Sequence, residues 1–83
     1  MNPKVFTAEY HEERLSSYDK EEIYAGIGDL YEANELQAKT QGFAPEVRED
    51  YRKYSRIQLK KLAARLQAQN YCNAAKSFTN QQK

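Results

Sequence analysis

The sequence predicts an all-α protein: an antiparallel helical hairpin, about residues 20–41 and 45–70, with a short N-terminal helix. Three observations carry that expectation. Ile23, Ile27, Leu30, Tyr31 and Ala38 recur at the spacing of a helix with one buried face. A second stripe of Val47, Tyr51, Tyr54, Leu59, Leu62 and Leu66 follows the same period while drifting around the helix. Between the two stand Gly42, a helix stop, and Pro45, a helix start.

Each element has a local reason. Thr7 is placed to cap a short helix over residues 8–15, introduced by the apolar pair Val5-Phe6. Asp19 followed by Glu22 forms a capping box, and Tyr18 with Ile23 occupies the flanking staple positions, which sets the start of the first long helix. Gly26 and Gly28 fall inside its pattern at a cost of roughly 1 kcal/mol each relative to alanine, which implies a bend or the close approach of another backbone. Glu46, Glu49 and Asp50 suit the positive end of a helix dipole, so the second helix is expected to begin at Pro45. Residues 1–78 read as one small domain and 79–83 as a flexible tail. At 83 residues the core is modest, and a hairpin leaves part of each stripe wet, so completion by dimerisation or by docking on a partner is expected.

Composition narrows the function classes. Hydrophobic residues make up 40% of the chain and the mean hydropathy is −1.01, with no apolar run suited to a membrane span or a signal segment, so a cytoplasmic protein without a membrane partner is expected. The single cysteine, Cys72, agrees with a reducing compartment. The lone histidine, His11 in "YHEER", lacks the second histidine of a zinc-binding helix. "AGIGD" lacks the strand and third glycine of a dinucleotide loop, and its Asp29 would repel phosphate. No catalytic residue, metal ligand or cofactor site is assigned, and the chain is not expected to be an enzyme.

Charge divides the chain. Residues 1–50 hold all twelve acids against five bases, leaving −7, whereas residues 51–83 hold eight bases and no acid. Two surfaces follow. The acidic side of the first long helix, with Glu21, Asp29, Glu32 and Glu35 around Leu36, is the expected protein interface, because an apolar residue amid carboxylates is an anchor. Tyr10, Tyr18 and Tyr71, not needed for the core, are added to it. The chain then reads as an inhibitor, adaptor or accessory subunit working through protein contacts.

The alternative surface is basic. On a continuous helix over residues 45–70, Arg52, Arg56 and Lys60 align, with Lys53 beside them. Such a stripe would contact nucleic-acid phosphates with a salt slope of roughly −3 to −4. A helix-turn-helix version fails, because the first turns of its recognition helix would present Glu46, Glu49 and Asp50 to the groove.

Overall fold

The computed structural model describes residues 2–81, with side chains described through Lys76. Helix α1 spans Ala8–Arg14, α2 spans Lys20–Gln41 and α3 spans Arg56–Gln81. Short 3-10 turns, Pro3–Phe6 and Leu15–Ser17, flank α1. The described residues contain no strand, so the all-α class and the pairing of two long helices behind a short N-terminal one are as expected. The last part of the expected tail, Gln82 and Lys83, lies outside the described residues, and the backbone of Thr79–Gln81 is helical.

Helix α2 starts and stops where its residues dictate. The Asp19 carboxylate accepts from the Glu22 amide at 2.8 Å, and the Glu22 carboxylate accepts from the Asp19 amide at 3.2 Å. At the other end Gly42 takes the left-handed conformation (φ 81°), and the amides of Gly42 and Phe43 both donate to the Ala38 carbonyl. Ile23, Ile27 and Tyr31 then face Leu59, Leu62, Ala63 and Leu66 of α3, with Leu15, Leu30, Tyr51 and Tyr54 packed around them. Each large side chain fully removed from water here adds roughly 1.5–3 kcal/mol of transfer free energy.

The second long helix departs from the expectation in its start and in its direction. It begins at Arg56, not Pro45, behind a capping box: the Ser55 hydroxyl accepts from the Gln58 amide at 3.2 Å, and the Gln58 side chain accepts from the Ser55 amide at 2.8 Å. Residues 43–54 form a non-helical strap that ends in a turn, the Tyr54 amide donating to the Tyr51 carbonyl at 3.2 Å. Val47, read as part of the buried stripe, is 88% exposed. Tyr51 and Tyr54 are packed against the core from the strap, so the drifting stripe was two segments read as one helix.

The strap also sets the direction of α3. Asn34 donates to the Leu66 carbonyl, Gln37 to that of Asn70 and Gln41 to that of Asn73. Positions on α3 rise with positions on α2, so the two helices run parallel rather than antiparallel. The 22 residues of α2 rise about 33 Å, and the strap must travel back that distance. A dozen residues reach about 40 Å at full extension, enough for the return with the turn at Tyr51–Tyr54 taken out of it.

Parallel packing matches like with like. Both helices are apolar in their first half (Ile23, Ile27 and Tyr31; Leu59, Leu62 and Leu66) and amide-rich in their second (Asn34, Gln37 and Gln41; Asn70 and Asn73). The amides bond across the seam: Asn70 to Asn34 at 2.9 Å, Asn73 to Gln37 at 3.2 Å, alongside the three bonds to carbonyls. Antiparallel packing would bury these amides against leucine and isoleucine, at about 1–3 kcal/mol for each group left unpaired.

Candidate functional site

The α2–α3 pair has two flanks. The strap covers one. Arg48 forms a bidentate pair with Glu35 (2.7 Å for both bonds) and lies over the Tyr31 ring. Arg65 of α3 reaches back to Glu46 and Glu49, and the Tyr54 hydroxyl donates to Glu49 at 2.6 Å. The Glu49 amide donates to the hydroxyl of the buried Tyr31 at 3.0 Å, and Tyr51 stacks on Tyr31 while meeting the Tyr24 ring at a tilt. The hydrogen bonds from Arg48 and Arg65 pull Glu35 and Glu46 below the usual carboxylate range, and those from Arg52 bring Asp50 to about 2.

The other flank is open. Helix α1 and the turn after it pack on α3 but stop short of α2, leaving a cleft of about 530 Å³. Leu15, Ile23, Leu30 and Ala63 make its apolar lining, Gln67 and Asn70 its polar end, and Tyr18 one lip. Along α2 the surface is cut low by Gly26 and Ala33, and its edge carries Glu22 and Asp29. A second hollow of about 340 Å³ continues it past Leu15, Leu30, Ala63 and Gln67 to Tyr10, His11, Arg14 and Tyr71.

Gly26 has no packing reason inside the chain. A Cβ added there would meet nothing within 4 Å, and α2 runs through both interior glycines without a break. The expected approach of another backbone is therefore not met within the chain. At Gly28 the nearest neighbour of an added Cβ is the Tyr51 hydroxyl at 3.7 Å, an ordinary contact.

The residues expected at a protein interface separate into three groups. Asp29, Tyr18, Tyr10 and Tyr71 line the cleft and its extension. Glu21, Glu32 and Leu36 lie on the outer face of α2, with Leu36 64% exposed. Glu35 belongs to the strap, held by Arg48. The sequence reading did not single out Leu15, Ala33, Ala63, Gln67 or Asn70, because which face of a helix stays uncovered depends on where α1 and the strap fall. The costly glycine at position 26 was the one local sign.

The basic stripe does not form as drawn. Arg52 and Lys53 lie on the strap, and Arg52 pairs with Asp50 at 2.9 Å. Arg56 opens α3 and donates to the Ser16 and Tyr18 carbonyls at 3.0 and 2.6 Å, closing the end of the α1 unit. Lys60 is half-buried one turn later. These four cations share no helix face, because the helix that would have aligned them begins only at Arg56.

His11 is occupied by the fold. It is buried, its Nε2 donates to the Val5 carbonyl at 2.7 Å, and its ring stacks on Tyr71 with Tyr10 edge-on. That bond fixes the proton on Nε2, since a carbonyl only accepts. Among the described residues no group of three or more His, Cys, Asp and Glu could hold a metal ion, and no helix is long and apolar enough to cross a membrane. Compared with known proteins, the chain matches no family model, no curated protein and no solved structure.

Proposed function

We propose that this chain is a small intracellular protein-binding module, an adaptor, inhibitor or accessory subunit, that receives a helix of another protein in the cleft between α1 and α2. The observation that carries this reading is the unfilled flank of the α2–α3 pair. An apolar trough with small residues on one wall, Gly26 and Ala33, suits a helix that must come close, as in the helix-in-groove mode of recognition. Tyrosines at the lips, Tyr18 and Tyr10, fit the usual composition of interfaces. An internal precedent supports it: on the opposite flank a non-helical segment of the same chain already covers the equivalent groove.

Ala33→Arg tests the reading. The side chain is half-buried in the cleft wall and makes no core contact, so arginine there obstructs the cleft while α2 persists. Immobilised wild type is expected to retain a partner from its own cell extract, and Ala33→Arg to lose it with unchanged circular dichroism. Leu36→Glu, on the outer face, is expected to keep that partner. Equal capture by wild type and Ala33→Arg, or loss only with Leu36→Glu, would move the contact surface away from the cleft.

A further inference from the structure

We infer that the occupant of the cleft is a basic amphipathic helix, one carrying lysine or arginine along the flank that lies against α2. This rests on the cleft being a docking site and adds the chemistry of what docks. The argument comes from where the acids are spent. Arg48, Arg52 and Arg65 neutralise Glu35, Asp50, Glu46 and Glu49, which are all of the ion pairs among the described residues, and all of them lie on the strap side. On the cleft side the α2 lip carries Glu22 and Asp29. Among the described residues the Glu22 carboxylate accepts from the Asp19 amide, and neither Glu22 nor Asp29 forms an ion pair.

The opposite lip does not supply one. Arg14, the cation on the α1 side, donates to the Tyr10 hydroxyl at 3.0 Å and lies over the Tyr10 ring. The lining between the lips is mostly apolar, so a partner seated there excludes water from the α2 edge. A carboxylate losing solvent without a counter-charge is costly, which disfavours a neutral or acidic occupant. An arginine or lysine whose aliphatic stem runs over Gly26 would meet both needs, with its head near Asp29. The bare backbone at Gly26 leaves room for that stem.

The test uses the full chain and two stapled helical peptides of about 15 residues, long enough to run the 22–33 edge of α2. Both carry alanine and leucine on one face; one has lysine on the flanks, the other glutamate. Amide chemical shifts are followed during titration at low and at physiological salt. The lysine peptide is expected to give saturable shifts at Gly26, Asp29, Ala33, Ala63 and Gln67, with an affinity about tenfold or more above that of the glutamate peptide at low salt and a narrower gap as salt rises. Asp29→Lys is expected to abolish or invert the preference, and its unchanged helicity would show that the fold is kept. If both peptides shift those amides equally, or the glutamate peptide binds more tightly, the basic occupant is refuted while cleft docking stands. If neither gives saturable shifts there, or the shifts map elsewhere, both readings are overturned.

Discussion

The two flanks of the α2–α3 pair face the same helices and are built from opposite materials. On the strap flank three tyrosines, Tyr31, Tyr51 and Tyr54, combine with arginine–carboxylate pairs, and the strap covers the groove down to a hollow of about 250 Å³ beside Phe43 and Pro45. On the cleft flank glycine and alanine replace tyrosine on the α2 wall, the acids lack counter-charges, and the groove is empty. The same chain therefore shows what a covered groove requires and leaves one groove without it. Large rings and paired charges mark a surface the fold completes for itself. Small residues and unpaired charges mark the flank that the proposed partner helix would cover.

The sharpest way to break this contrast is at Tyr31, which is 1% exposed and anchors the strap through its hydroxyl. Tyr31→Ala should cost about 3–5 kcal/mol, enough to unfold much of a domain this small, measured by urea denaturation. A loss under about 1 kcal/mol would mean that the strap is an ornament and that the two flanks do not differ in kind. Gly26→Ala should act in the opposite direction. With room for the added methyl, it should stabilise the chain by roughly 1 kcal/mol, seen as a raised melting temperature. Destabilisation would show that the cleft wall is closed by contacts that make it core.

The smallest effect is expected from acid. Glu35, Glu46 and Asp50 have folded values below the ordinary carboxylate range, so the stability they add is present above that range. It is lost as pH falls through the folded values, which for Asp50 extends down to about 2. These pairs are well exposed and screened, so each adds little. Ring-shifted resonances of Tyr31 and Tyr51 should relax in that window while the helical signal persists. If strap and helices are lost together at every pH, the strap is not a separable cover.

Much of the fold was legible. The Asp19–Glu22 box and Gly42 gave the bounds of α2, because a capped helix states its own ends locally. The start of α3 was equally local, in Ser55 and Gln58, but Pro45 and the acids after it imitate a helix start, and period alone does not separate a non-helical tyrosine segment from a helical one. The parallel direction was also written in the chain, as apolar and amide halves in the same order along both helices. It is visible only when two helices are compared with each other, not when each is read alone. The cleft lay furthest from reach. Asp29 and the tyrosines that line it were singled out, but the opening itself depends on α1 reaching α3 without reaching α2.

The nearly constant offset across the seam has a kinetic consequence. Bonded pairs across the seam, from Asn34–Leu66 to Gln41–Asn73, are all separated by 32 to 36 residues. An antiparallel hairpin can zip from its turn, each contact shortening the loop for the next. Here no contact is much cheaper than another to make first, because each closes nearly the same length of chain. The loop-closure entropy must be met in one step, so this helical protein should fold more slowly than a bundle of equal size joined by tight turns. The strap, by sitting down on Tyr31 before α3 arrives, would shorten that loop.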